Sequence, residues 1–414
     1  MQLLRFFTAG NVDDGKSTLI GRLLYDSHAI STDIIETLTK QSKVKGGDTE
    51  IDLALLTDGL RAERTQGITI DVAYKYFTTG NRQFIVADTP GHLEYTRNMF
   101  TGASTAELAI ILIDARNGLT DQTKRHSIIA SILRIPHVVI CINKMDLINY
   151  SEEKYKQIEN DYMEFSRQLQ LNDISFIPVC ALQGDNVVSQ SKNMLWYQGK
   201  SLLNFLEIIE IDKPKLINQS RFQVQYIIRP QTNTLHDYRG FAGKVLSGTY
   251  KKGQKVTVLP SGIETIIDKI EMNQQEVNVA ETNAPIVFHF KDDLDISRGN
   301  SIVLAEDLPK IEKEITAIIC WMDSVNYVPG QKILFQQNSF RTKAVVKEVI
   351  SKIDIHSSIE KESDGTMRLN DICKVLIKTA EPICFDRYID NRNTGAFILI
   401  NENTNNTIAA GTIN

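Results

Sequence analysis

Apolar residues gather in the first half of the chain into short, nearly unbroken runs: Leu3 to Ala9, Val72 to Thr78, Gln83 to Ala87, Leu108 to Asp114, His137 to Ile142 and Ser175 to Val179. Runs of strand length with little polar alternation are the pattern of strands buried on both faces. Amphipathic helical segments separate them, so residues 1–213 are expected to form an α/β domain around a mostly parallel sheet. One connection breaks the rhythm. Ser27 to Gly67 is polar, contains Thr, Lys and Gly, and is too long for a simple link, which predicts a mobile functional loop with some helix. The α/β alternation stops at Asp212-Lys213-Pro214-Lys215, a linker by its composition.

Beyond it the period shortens to strands and tight turns. Gln223 to Arg229, Gly240 to Ser247, Lys255 to Leu259, Thr265 to Glu271 and Ala284 to Phe290 are candidate strands, punctuated by Gly248, Gly253 and Pro260-Ser261-Gly262. A second block holds Thr316 to Met322, Ala344 to Ile353, Ile372 to Lys378 and Gly395 to Ile400. The expected architecture is therefore multidomain: the α/β domain over 1–213, a β-barrel over 220–308 and a second β-barrel over 309–414. A length of 414 residues suits several cores rather than one.

Composition narrows the setting. With 42% hydrophobic and 23% charged residues the chain is globular, and no apolar run reaches the about 18 residues of a membrane span. No membrane partner is expected. Met1 is followed almost at once by a strand, which leaves no room for a cleavable leader and predicts a cytoplasmic protein. The five cysteines are odd in number and show no C-x-x-C spacing, so they read as reduced core thiols rather than metal ligands. A net charge of −5 offers no general attraction to nucleic acid, and none is expected as a partner.

Candidate chemistry begins between the first strand and the first helix, at Gly10-Asn11-Val12-Asp13-Asp14-Gly15-Lys16-Ser17-Thr18. Glycines there let successive backbone N–H groups converge on a polyphosphate, and the helix starting near Lys16 aims its positive end at the same charge. Lys16 can reach the β- and γ-phosphates, and the Ser17 hydroxyl can ligate Mg²⁺. Asp88-Thr89-Pro90-Gly91-His92 follows a strand of the same sheet, which puts it at the carboxyl edge beside the phosphate loop. Asp88 is expected to hold Mg²⁺ through water, the Gly91 N–H to sense the γ-phosphate, and Thr69 to supply a second hydroxyl to the metal. His92, alone of seven histidines, is placed to orient or stabilise a water opposite the γ-phosphate.

Asn143-Lys144-Met145-Asp146 follows the strand His137 to Ile142. The Asp146 carboxylate offers two acceptors, which match the N1–H and 2-amino donors of guanine, whereas adenine presents no such pair. Asn143 is expected to brace neighbouring loops, Lys144 to lie along the base, and the Cys180-Ala181-Leu182 loop to bring a backbone N–H to the guanine carbonyl oxygen. Gly199-Lys200-Ser201 looks like half of a second phosphate loop, but Met194 stands where glycine is needed and no strand precedes it. One GTP site with Mg²⁺ is expected.

Together these elements look like a translation-factor-type GTPase with the elongation factor Tu architecture. Longer stretches narrow the likeness: Gly15 to Asp26, Asp52 to Leu56, Gln66 to Tyr74, Asp88 to Met99, Arg239 to Gly243, Asp295 to Gly299 and Asn391 to Ile413 are similar to the sulfate adenylyltransferase subunit 1 family, the large GTPase subunit. The resemblance implies a cytoplasmic heterodimer with a smaller catalytic subunit that makes adenosine 5′-phosphosulfate and pyrophosphate from ATP and sulfate, driven by GTP hydrolysis here. It implies that Val12 and Ile68 gate the approach of His92 to the water. Asn11 and Cys180 depart from it, standing where that family usually has serine; so do Leu93-Glu94 after the histidine and Asn300 in place of aspartate. An elongation factor that delivers aminoacyl-tRNA is the alternative reading. The acidic balance does not decide between them, and the match at Ile70 to Tyr74 and in the C-terminal domain favours the first.

Overall fold

The structure, a computed structural model, describes residues 2–30, 53–56, 72–90, 99, 102–169, 171, 173–211, 219–230, 238–354 and 360–414. Contacts divide the chain into two compact units, one spanning Met1–Ile211 with Asp354–Glu360, the other Asp212–Ile353 with Lys361–Asn414. The linker read at Asp212 to Lys215, and all of the long loop but residues 27–30 and Leu53–Leu56, lie outside the described residues.

The sheet of the first unit contains β1 (Gln2–Ala9), β2 (Ala73–Thr78), β3 (Arg82–Asp88), β4 (Leu108–Asp114), β5 (His137–Asn143) and β6 (Asp173–Pro178), in the order β2-β3-β1-β4-β5-β6. β1 lies parallel between β3 and β4, and β5 and β6 continue parallel. Every residue of β4 is buried, which accounts for its unbroken apolar run. β2 is the antiparallel member. Only three residues separate it from β3, closed by Thr79 N–H donating to Arg82 O at 3.0 Å, and a parallel crossover needs a dozen or more.

Among the described residues four helices accompany this sheet: α1 (Lys16–Asp26), α2 (Asp121–Ile132), α3 (Glu152–Ser166) and α4 (Leu202–Ile208). Thr120 caps α2 by accepting from Thr123 N–H, and Ser151 caps α3 by accepting from Lys154 N–H. Helix α1 turns Leu19, Ile20, Leu23 and Leu24 inward. Its Gly21 is dictated by a close approach: a Cβ there would stand 2.1 Å from the Leu53 carbonyl oxygen of the 3-10 turn Leu53–Leu56. Because the chain leaves β1 for neighbours on either side, the carboxyl ends of β1, β3, β4, β5 and β6 open on one edge, where α/β sheets bind ligands.

In the second unit, β7 (Arg221–Ile228), β8 (Gly240–Ser247), β9 (Thr249–Lys251), β10 (Lys255–Leu259), β11 (Ile263–Met272), β12 (Gln275–Val277), β13 (Val279–Glu281), β14 (Pro285–Phe290) and β15 (Ser301–Leu304) come first. The order β10-β15-β7-β8-β14-β11 closes on itself through β10–β11 pairing. The second set is β16 (Lys310–Trp321), β17 (Lys332–Gln337), β18 (Phe340–Ile353), β19 (Glu360–Glu362), β20 (Ile372–Phe385), β21 (Ala396–Asn401) and β22 (Thr407–Ile413). It closes as β17-β21-β22-β16-β20-β18 through β17–β18. Both are antiparallel barrels, filled by Phe222, Tyr250 and Phe288 in one and by Trp321, Phe335 and Phe397 in the other. Strands β9, β12, β13, β15, β17, β19 and β22 were not among those predicted.

Both barrels belong to the same compact unit and share polar contacts. The Arg221 guanidinium, 3% exposed, gives its Nε and Nη2 to Asp386 at 2.9 Å each and its Nη1 to Asp307 Oδ2 at 2.9 Å. Asn391 Nδ2 donates to Ser247 Oγ at 2.8 Å, and Ser339 N–H donates to Gln223 Oε1 at 2.8 Å. The five cysteines are free, four of them buried. No described helix is long and apolar enough to cross a membrane.

Candidate functional site

The phosphate loop leaves β1 at Gly10 and enters α1 at Gly15, whose φ of 93° is left-handed. Asp14 folds the loop over itself: its buried carboxylate accepts from Asn11 N–H at 2.6 Å, and Asp14 N–H returns a 3.3 Å bond to Asn11 O. The Asn11 side chain accepts from Val12 N–H at 2.9 Å, so asparagine acts here as a local turn former. Lys16 is buried and donates its Nζ to the Gly10 and Asn11 carbonyls at 3.0 and 2.8 Å. Burial holds its ammonium below the usual lysine value, opposed by the carboxylates of Asp88, Asp14 and Asp13. A polyphosphate entering this loop meets a cation that water solvates poorly and that therefore gains much from a new anion.

Asp88 closes β3 directly across from Thr8 of β1 and accepts from Thr8 Oγ1 at 3.2 Å; Thr89 Oγ1 donates to Thr8 O at 2.5 Å. Thr89 and Pro90 are buried there. Thr18 and Ser17 occupy the first turn of α1. Gly91, His92 and Thr69, together with Ile68 and Leu93-Glu94, lie outside the described residues.

Asn143 joins three loops. Its Nδ2 donates to Asp14 O at 2.7 Å and its Oδ1 accepts from Ala181 N–H at 2.9 Å. The contact also requires Gly15: a Cβ at that position would stand 2.5 Å from Asn143 Nδ2. On the far side, Cys180 Sγ–H donates to Asp146 Oδ1 at 3.1 Å. Burial, with Asp146 nearby, pushes the Cys180 thiol up to about 12. The thiol thus stays protonated and serves as a donor. Arg22 of α1 donates to the carbonyls of Ala181 and Leu182. The phosphate, Asn143–Asp146 and Cys180–Leu182 loops form one cross-linked edge.

Two features were not singled out in the sequence. Asp114 ends β4 at the same edge and carries both Lys144 and Arg116; an aspartate after a central apolar run is the signal that picked out Asp88. His126 of α2 is fully buried, and neither ring nitrogen has a hydrogen-bond partner. Burial, then the charges of Lys16 and Arg125, hold its imidazolium down to about 3, from 6.5. The unfolded chain takes up this proton below its ordinary value and the native one does not, so stability falls as pH drops from about 6.5 toward 3. Between pH 7.5 and 5.5, wild type is expected to lose about 1 kcal/mol more stability than His126→Leu. Urea unfolding followed by helical circular dichroism checks it; equal losses in both proteins would refute it.

With this geometry in place, comparison with known proteins is decisive. The elongation factor Tu GTP binding domain family matches residues 1–228, and the GTP-eEF1A C-terminal domain-like family matches residues 314–414. The chain is 47% identical over 100% of its length to sulfate adenylyltransferase subunit 1 of Colwellia psychrerythraea, covering 88% of that protein. Identity to the protein of the same name from Pseudoalteromonas atlantica is 49%, over 99% of this chain and 87% of that one. The chain belongs to the sulfate adenylyltransferase subunit 1 family. As a member of that family it is an enzyme subunit with a GTP-binding domain. Among solved structures, the S. cerevisiae Ski7 GTPase-like domain, bound to GTP, aligns over 100% of this chain and 97% of its own with a TM-score of 0.54 and 19% identity, a likeness of fold.

Proposed function

We propose that this chain is the GTP-hydrolysing subunit of a two-subunit sulfate adenylyltransferase, and that a smaller partner makes adenosine 5′-phosphosulfate and pyrophosphate from ATP and sulfate in the cytoplasm. The observation that carries this reading is the full-length identity to proteins named subunit 1, supported by a phosphate loop cross-linked through Asn143 to the Asn143–Asp146 loop. A site tied in this way to a guanine-reading carboxylate leaves ATP to be bound elsewhere, in the partner.

In this reading Gly10 to Thr18 wrap the phosphates, Lys16 holds the β- and γ-oxygens, and Asp146 accepts from N1–H and the 2-amino group of guanine. Asn143, Cys180, Ala181 and Leu182 shape the base pocket, and in the Asp88 to His92 loop the Gly91 N–H senses the terminal phosphate. The oxygen donors of Ser17, Asp88 and Thr69 suit Mg²⁺, a hard cation, and the buried Asp88 beside Lys16 fits a metal that would be reached through water. When bound, Mg²⁺ offsets the charge of the phosphate oxygens. His92 orients the attacking water, with Val12 and Ile68 as its apolar gate.

The purified chain is expected to bind GTP with Mg²⁺ yet to form no adenosine phosphosulfate from ATP and sulfate. Adding the co-purified partner should start synthesis, GTP should raise it, and a non-hydrolysable analogue should not sustain it. Release of pyrophosphate dependent on sulfate is the measurement. Synthesis by this chain by itself, or a complex indifferent to GTP, would overturn the reading; GTP-dependent capture of aminoacyl-tRNA would replace it with the elongation-factor one.

A further inference from the structure

The end of β4 carries a charged relay against the guanine loop. Asp114 pairs in register with Asn143, the last residue of β5, and its carboxylate is 2% exposed. Its Oδ2 lies 2.9 Å from Lys144 Nζ and 2.7 Å from Arg116 Nη2. Its Oδ1 accepts from Arg116 Nε at 3.1 Å and from Arg116 N–H at 2.9 Å. Burial pushes this carboxyl up, but the Arg116 and Lys144 hydrogen bonds outweigh burial and hold it down to about 2. It therefore stays ionised at any working pH. Lys144 has a left-handed backbone, with φ of 61°, which sets the direction in which its side chain leaves β5.

We propose that Asp114, braced by Arg116, is a positioning residue that fixes the Lys144 side chain along the nucleotide and thereby sets how slowly guanine nucleotides leave. It rests on reading Asn143–Asp146 as the guanine loop. A free lysine side chain samples many rotamers, and ordering it opposes binding. A lysine already held by a buried carboxylate is ordered before the ligand arrives. Arg116, half exposed, occupies Oδ1 and turns Oδ2 toward Lys144. Its own share is smaller, since partly exposed ion pairs are weak.

The test is release of fluorescent GDP and GTP analogues from the full chain. Asp114→Asn, nearly isosteric, is expected to speed release of both by about 10-fold or more, and Arg116→Ala by about 2- to 5-fold. In a Lys144→Met background, Asp114→Asn should add nothing, because the two act as one unit. Preference for guanine over xanthine should not move, since Asp146 sets it. Equal acceleration in both backgrounds would make Asp114 a general support of the fold and overturn the proposal. So would unchanged release, or slower release, the result if Asp114 only repels phosphate. Failure of the wild type to bind GDP would instead remove the guanine reading, and the proposal with it.

Discussion

Replacing Asp146 with asparagine is expected to lower affinity for GTP by roughly two orders of magnitude and to raise affinity for xanthosine triphosphate. In the proposed reading two charge-assisted bonds from guanine are lost, each worth about 1.5–3 kcal/mol, and an amide N–H then faces guanine donors. The Cys180 thiol sharpens the switch. It donates to Asp146 Oδ1 in the native protein, so in the variant it keeps the amide oxygen on its own side and turns the amide nitrogen toward the base. That nitrogen can donate to the 2-oxo group of xanthine. Competition binding with GTP, ATP and xanthosine triphosphate measures the effect, and an unchanged preference for GTP would mean that another residue reads the base.

The second large effect is expected within the unit that holds the two barrels. Arg221→Met removes the guanidinium that Asp386 faces across the two barrels and leaves that carboxylate, 7% exposed, with the hydrogen bond from Thr394 Oγ1 at 2.7 Å but without its cation. Breaking one side of a buried ion pair costs about 3–5 kcal/mol, because the other charge stays behind without compensation. Trp321, buried in the second barrel, gives the fluorescence signal for unfolding of this unit. The double variant Arg221→Met, Asp386→Leu should recover most of the loss. A loss below about 1 kcal/mol for the single variant would place the pair among ordinary surface bridges.

The sheet of the first unit was legible because its strands advertise themselves: β4 and β5 are apolar throughout and end on the polar residues that line the site. The barrels were less so. β22, Thr407–Ile413, is buried over most of its length but is built from Ala409, Ala410 and Gly411, which carry little hydrophobic signal. A Cβ at Gly411 would press on Ile319 and Phe397 at 2.7 Å each, so close packing demands the small residues that hide the strand. β16 begins with Lys310, Glu312 and Lys313 exposed and Glu314 half-buried, and its apolar alternation starts only at Ile315. At the site, contiguous motifs marked the loops, whereas Asp114 holds Lys144 and His126 feels the charge of Lys16, neighbours distant in sequence. Helix α2 buries Gln122, Thr123, His126 and Ser127, and a polar buried face leaves no amphipathic trace.

The Arg221 clamp also bears on the order in which the chain can be completed. Arg221 and Asp386 are separated by 165 positions. At synthesis rates of roughly 5–20 residues per second, roughly 8–30 s pass between the emergence of the cation and that of its second carboxylate. During that interval the first barrel can close its own strands and draw on Asp307, yet the face that presents Gln223, Leu246 and Ser247 to Ser339, Asn393 and Asn391 stays wet. A nascent chain therefore carries a folded barrel with an unsealed flank until translation reaches the last strands.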